Sequence, residues 1–503
     1  MAQRALPYEY EIEESKAGLT SFGGLPTYLD LAAATGLLGS IDRHMRIRTG
    51  DQGWTDRQMI ISLVLLNLVG GDCVEDIDKL EADEGFCRIL RKVETHGLTR
   101  KQRRMAKKRW RKGRRRTLPS ASAIFRYIGK FHNAEQEEFR VKGKAFIPES
   151  NEHLKAFGQI NAELVSFGDK GETATLDMDA TIAATLKERA LYSYKGEKGY
   201  QPINTYWHER DLILHTEFRD GNVPAGHEQK RVLQEALGYL PSWVKKVRLR
   251  SDTAGYQHDL MRYCDDEENK RFGKIEFAIG SDVTAEFRKA VYEVPEADWK
   301  PLYREIKGQS QETGREWAEV CFVPNKIGHS KNGPEYRYLA TREELKQGEL
   351  PGVQRSEEEY PFPVMRLKGQ RYKLFGIVTN MDWAGQELIA WLYERCGKSE
   401  EAHSVMKGDL AGGRFPSGDF GENAAWWWVM VLAYNLNSLM KRLVLGESWI
   451  NKRMKAIRFG LINIAARVME HSRKLWVRIS AGHPSSGLLL DMRSRMSQLA
   501  ATG

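Results

Sequence analysis

Hydrophobic positions along this chain change period between Gly168 and Thr173. Before that point they recur at helical spacing. Pro26 to Thr35 reads as a helix stopped by Gly36. Thr55 and Gln58 form a capping-box pattern ahead of Met59, Ile60, Leu63, Val64 and Leu66, and Gly70-Gly71 ends that helix. Shorter helices are predicted over Val74–Ala82 and from Pro119-Ser120 through Phe125, Tyr127 and Ile128. One alternating stretch, Tyr8, Tyr10 and Ile12 between Glu9, Glu11 and Glu13, reads as a strand.

From Thr173 the period is two. Ala174, Leu176, Met178 and Ala180 alternate with Thr175, Asp177, Asp179 and Thr181, so Asp177 and Asp179 share one face of a predicted strand. An unpaired carboxylate there is costly to bury, and a metal ion would relieve that cost. Further strands are expected at Ile203–His208, Leu212–Arg219, Lys246–Arg250 and Lys274–Ile279. Helices are expected near Gly226–Gly238, Tyr256–Tyr263 and Thr284–Val291. Three strands, a helix, a strand, a helix, a strand and a helix is the order of a ribonuclease H-like fold. The expected class is therefore α/β, a ribonuclease H-like catalytic core. In that order the first strand is central and the fourth lies beside it, so Asp179 and Asp252 are expected to meet at the carboxyl ends of their strands.

The texture changes again from about Asp298 to Glu387. Strand-like pieces (Glu319–Val323, Tyr336–Ala340, Val364–Leu367, Tyr372–Val378) alternate with Gly, Pro and charge, which predicts a β-rich insertion. An amphipathic helix follows from Gln386 through Lys407, bent near Cys396-Gly397, with Glu400 and Lys407 two turns apart on one face. The helix Asn423–Leu445 carries Trp426, Trp427 and Trp428; its apolar sequence reads as core rather than as a base-stacking platform. The C-terminal region, with Arg467, Arg473, Lys474 and Arg478, is mixed helix and strand with a basic face. The expected organisation is a helical N-terminal DNA-binding region (1–168), the first part of the core (169–297), the insertion (298–387), core helices with the third acid (388–445) and a C-terminal region (446–503).

Charge sharpens the partner class. Between Arg100 and Arg116, 12 of 17 residues are Lys or Arg and none is acidic. Removing those twelve charges from the net +9 leaves the rest of the chain at −3. The basic character is thus one local arm, suited to the phosphates of nucleic acid through Arg103, Arg104, Lys107, Lys108, Arg109 and Arg111. Five scattered cysteines without a CxxC pair argue against a disulfide framework or a zinc ribbon. There is no signal-peptide pattern, and the longest apolar run, Ala424–Tyr434, is too short for a membrane span. These features predict a soluble, cytoplasmic, nucleoid-associated protein.

The candidate chemistry rests on Asp179, Asp252 and Glu400. Three carboxylates can hold two divalent cations about 3.5–4 Å apart, the clamp of phosphoryl transfer. Magnesium suits such oxygen donors, and manganese is an alternative. Asp177 in place of Asp179, and Glu401 in place of Glu400, remain open on sequence alone. Gly397-Lys398-Ser399 imitates the end of a P-loop, but the glycine that motif needs at 392 is Leu392.

Five stretches carry a family resemblance: T-L-D-M-D-A-T-I (175–182), Y-K-G-E-K-G-Y-Q-P (194–202), V-R-L-R-S-D-T-A-G-Y (247–256), F-A-I-G-S-D (277–282) and Y-E-R-C-G-K-S-E-E-A-H-S-V-M-K-G-D-L-A-G-G (393–413). Through them the chain resembles DDE transposases of bacterial insertion sequences, above all the family numbered thirteen-eighty, related to the hairpin-forming cut-and-paste group. The resemblance implies that Asp179, Asp252 and Glu400 are metal ligands. It likens Tyr393, Arg395, Glu400 and Lys407 to the group's tyrosine, arginine, glutamate and lysine signature, although Arg395 and Glu400 stand one residue further apart here. Lys195 and Lys198 are further DNA contacts in this reading. Implied partners are double-stranded DNA, as transposon ends and target, and a second copy of the chain in a synaptic homodimer. A non-catalytic transposase-derived repressor and a ribonuclease H-like nuclease are the rival functions.

Overall fold

A computed structural model describes residues 18–110, 113–266, 269–306, 308–324, 336–345, 360–367, 369–472 and 474–502. The predicted Tyr8–Ile12 strand, Arg111 and Arg473 lie outside them. The chain divides into two compact units. One comprises 1–129, 409–411 and 439–503, and the other 130–408 and 412–438.

The larger unit is mixed α/β, built on a ten-stranded sheet. Its strands in chain order are β1 (Thr173–Ala180), β2 (Ile203–Trp207), β3 (Leu212–Glu217), β4 (Lys246–Ser251), β5 (Glu276–Ser281), β6 (Lys300–Ile306), β7 (Gln309–Val320), β8 (Arg337–Glu344), β9 (Val364–Leu367) and β10 (Gln370–Thr379). The spatial order is β6-β7-β8-β10-β5-β4-β1-β2-β3, with β9 paired to β10. Strands β1, β4 and β5 run parallel, and the other pairings are antiparallel. The apolar alternation of β1 is realised as burial, with Ala174, Leu176 and Met178 fully covered.

Three helices follow the sheet: α1 (Gly385–Tyr393), α2 (Arg395–Ser404) and α3 (Phe420–Leu439). Leu388, Ile389 and Leu392 of α1 pack with Leu302, Trp317, Leu339 and Ile377 from the sheet. This core fixes the direction in which the chain enters α2. The long helix predicted over Gln386–Lys407 is therefore three pieces: α1, α2 and a π-turn, Val405–Asp409. The bend falls at the predicted place, where Cys396 is extended and Gly397 has φ +106°. The helix predicted as Asn423–Leu445 also ends sooner, at Leu439, with a π-turn over Met440–Leu445. Trp426 and Trp427 are fully buried, as their apolar setting predicts.

The insertion strands differ most from expectation. β6 and the first half of β7 form a hairpin that the pattern misses, and the piece expected at Glu319–Val323 is only the end of β7. The reason is exposure: residues 309–314 are all exposed, so no apolar alternation marks them.

The smaller unit holds the helices Pro26–Ala34, Leu37–His44, Asp56–Val69, Glu84–Glu94 and Ala121–Ile128, and a closing helix Ser486–Thr502. The Thr55–Gln58 capping box is formed. The basic arm is in part a helix, Arg100–Lys108, with its own capping box from Thr99 and Gln102. A three-stranded sheet joins Leu19–Thr20 to Ala466–His471 and Lys474–Ile479. No helix among the described residues is long and apolar enough to cross a membrane.

Candidate active site

The parallel register of β1 and β4 sets the site. Asp177 lies opposite Arg250, and Met178 opposite Ser251. One step further along both chains stand Asp179 and Asp252. Side chains two residues apart share a face, so the strands present one cross-strand pair above another. The lower pair is a salt bridge: Arg250 Nε and Nη2 donate to the two Asp177 carboxylate oxygens at 2.6 and 2.9 Å, with both side chains fully buried. Arg250 also caps the last turn of α1 through the Trp391 carbonyl. The upper pair is two acids. Of the two aspartates that sequence left open, Asp177 is thus taken by Arg250, while Asp179 stands at the strand's end.

Helix α2 crosses Asp179 with three side chains. Ser399 Oγ donates to Asp179 Oδ2 at 3.0 Å, Arg395 Nη1 stands 3.4 Å from the same oxygen, and His403 Nδ1 is 3.8 Å away. Ser399 and His403 are one turn apart and reach the same neighbour for that reason. Burial raises the Asp179 carboxyl above its ordinary range; Arg395 and Ser399 oppose this, and the charges of Glu400 and Asp177 add to it. Asp252 is raised by burial and then by Asp179, with Arg395 opposing. Its carboxylate accepts the Ala254 N–H at 3.0 Å as the cap of the turn Thr253–Gly255.

The charge of Asp179 is therefore felt at Asp252, and that of Glu400 at Asp179. Glu400 is exposed on α2 beside buried Ser399. Among the described residues no group of three or more His, Cys, Asp or Glu is set to hold a metal ion. The donor set still fits a hard divalent cation: all oxygen, with two carboxyls raised first by burial, and Asp252 further by the charge of Asp179.

A buried polar chain stands behind this pair, which sequence reasoning missed. Trp427 Nε1 donates to Thr216 Oγ1 (2.9 Å), which donates to Asn204 Oδ1 (2.7 Å), and Asn204 Nδ2 faces His403 Nε2 at 3.1 Å. Burial, then Lys407 and Arg395, push His403 down to about 3, so it is neutral. A neutral ring accepting at Nε2 carries its proton at Nδ1, which faces Asp179. No local spacing signals these residues; the one usable hint is a Ser and a His four apart on the predicted site helix.

The other predicted contacts are dispersed. Lys407 Nζ donates to the Ile182 carbonyl at 2.9 Å; burial and Lys195 lower its pKa, and Asp179 raises it. Lys407 thus lies within electrostatic reach of both Lys195 and Asp179. Lys198 donates to the Glu188 carbonyl at 3.3 Å on the small sheet that also carries exposed Tyr192, with exposed Tyr194 in the turn that follows. Tyr393 bonds Thr341 Oγ1 at 3.1 Å and meets the Phe375 ring in a tilted contact. In the smaller unit, Arg103, Arg104, Lys107 and Lys108 are exposed on the basic helix. Arg109 is turned back, donating to the Gly53 and Gly50 carbonyls at 3.0 Å each.

A family model described as transposase DDE domain group 1 matches residues 11–501. No curated protein matches the chain. Among solved structures, a cryo-EM structure of a piggyBac transposase synaptic complex with hairpin DNA aligns with a TM-score of 0.42 at 9% identity, covering 94% of this chain and 80% of that one.

Proposed function

The chain belongs to the transposase DDE domain family, group 1, and on that premise we propose that it is a DNA transposase. It binds the terminal inverted repeats of an insertion sequence, cleaves the ends and joins them to target DNA. The core is read as ribonuclease H-like with a β-rich insertion, and the helical N-terminal region as DNA-binding. The partners are double-stranded DNA and a second copy of the chain in a synaptic homodimer. Asp179, Asp252 and Glu400 are the proposed catalytic acids and the ligands of two Mg2+ or Mn2+ ions. When bound, such ions supply the charge that activates the attacking oxygen and steadies the leaving one.

The observation that carries this reading is the register of β1 and β4, in which the Asp177–Arg250 salt bridge is followed by two acids without a matching cation of their own strand. In this reading Ser399 and the neutral His403 orient the Asp179 carboxylate. Arg395 moderates its charge. Lys407 and Lys195 hold the DNA phosphate beside it. The exposed basic helix grips the backbone without reading sequence.

The test uses purified protein, Mg2+ and a labelled duplex bearing the element's own inverted repeat, beside Asp252→Ala. End cleavage by the wild type and none by the variant is expected. End-specific binding without cleavage by either protein would replace the reading with a repressor, and cleavage irrespective of end sequence with a nuclease.

A further inference from the structure

The strands Ala466–His471 and Lys474–Ile479 form a two-stranded antiparallel ribbon in the smaller unit. One of its faces is covered along buried Ala466 and Val468, while Val477 opposite Val468 stays 39% exposed. The helix Glu84–Glu94 lies on that side, where Arg88 reaches the Val468 carbonyl at 3.4 Å and Lys92 pairs with Glu470 at 2.9 Å. The other face is open and consists of three cross-strand pairs: Arg467 opposite Arg478, Met469 opposite Trp476, and His471 opposite Lys474. All six residues are exposed, Trp476 at 53%. Leu19, opposite Arg467, extends the face by one apolar position. None of these residues is acidic.

Such a face does not help the ribbon fold. Like charges directly opposite one another destabilise an antiparallel pair, and here Arg faces Arg at one end. An indole left half in water between cations contributes little to the core. Both features suit a partner that is a polyanion with flat apolar surfaces. The two ends of the face, Arg467/Arg478 and His471/Lys474, are four residues apart, about 13 Å along a strand. The major groove of DNA is about 12 Å wide and admits a two-stranded ribbon.

We propose that this ribbon is a second DNA-contacting surface, separate from the basic helix and from the acids. Its end pairs contact phosphates on either side of a groove, and Met469 and Trp476 face the sugars and base edges between them. The inference rests on the reading that the chain acts on DNA.

The test measures binding of full-length protein to a fluorescent random-sequence duplex across a salt series. The proteins are the wild type, R467Q/K474Q/R478Q, and K142Q/K144Q/K170Q, a charge-matched set of exposed lysines elsewhere. Loss of three phosphate contacts should make the slope of log K against log salt shallower by about 2.7. The ribbon variant is expected to show this and the matched set is not. The ribbon variant should melt no lower than wild type, because like-charge opposition is removed; W476A tests the apolar contact separately, with weaker binding at an unchanged slope. Wild-type slope and affinity in the ribbon variant would overturn this inference alone. Loss of binding to anionic phosphatidylserine vesicles with duplex binding intact would also overturn it. A wild type that binds no duplex at all would overturn both this inference and the transposase reading.

Discussion

At the scale of single residues, Asp252 offers the sharpest test. Its carboxyl is raised by burial and by Asp179. For an acid raised in the folded state, ionisation works against folding. The penalty is fully present above the folded pKa and absent below the ordinary carboxylate value near 3.8. Metal-free protein should therefore gain stability as pH falls through the window just above that value. Asp252→Asn removes the charge while keeping a capping oxygen for Ala254. It is expected to raise the melting temperature of metal-free protein, to lose the further rise expected of the wild type with Mn2+ on the proposed reading, and to abolish cleavage. A lower metal-free melting temperature would show that the two acids do not oppose each other. The chain behind Asp179 makes a second prediction. His403→Leu should cost about 10–100-fold in cleavage, the usual range for a group that orients a metal ligand. His403→Asn, which keeps a donor near the Nδ1 position, should recover most of it, and the Mn2+-induced melting shift should follow the same order.

Among the elements, the Asp177–Arg250 bridge and the bend in α2 matter most. Arg250→Met takes the guanidinium from the buried Asp177 carboxylate and leaves only His208, 3.5 Å away, beside it; denaturant titration should show a loss of about 3–5 kcal/mol. Pairing it with Asp177→Leu should recover much of that, since a buried pair replaced by apolar groups is often neutral. At Gly397 an added Cβ would meet nothing within 4 Å, so Gly397→Ala is penalised by its φ of +106° alone. A cost of about 1–3 kcal/mol is expected, with cleavage falling further than stability because Ser399 and His403 move with the helix. These elements also show what the sequence could and could not reveal. Period-two alternation in β1 and β4 and the glycine at the bend were legible because each is local. The β6–β7 hairpin was not, because an exposed hairpin leaves no apolar trace. The π-turns were not, because they depend on what the helix ends pack against. Asn204, Ser399 and His403 converge from segments about 200 residues apart, and only their contact gives them a role.

Over the whole molecule, positive charge is unevenly free. Arg109 is held by backbone carbonyls, and Arg114 lies over Trp54 and pairs with Glu94. Among the described residues, Arg103, Arg104, Lys107 and Lys108 are the exposed members of the set of DNA contacts predicted in the basic arm. Replacing those four with Gln should make the salt slope of duplex binding shallower by about 3.6, whereas Arg114→Gln should act mainly on thermal stability.

The smaller unit is also assembled from distant parts of the chain, with Leu19–Thr20 pairing to Ala466–Arg467. On a ribosome adding about 5–20 residues per second, the first strand waits on the order of half a minute for its partner to be made. Until then the protein's own early helices lack the sheet that closes over them. A polypeptide that stops between Asp252 and Ala466 carries the aspartates but lacks the strand that pairs with Leu19–Thr20, so the smaller unit closes only after those acids have been made.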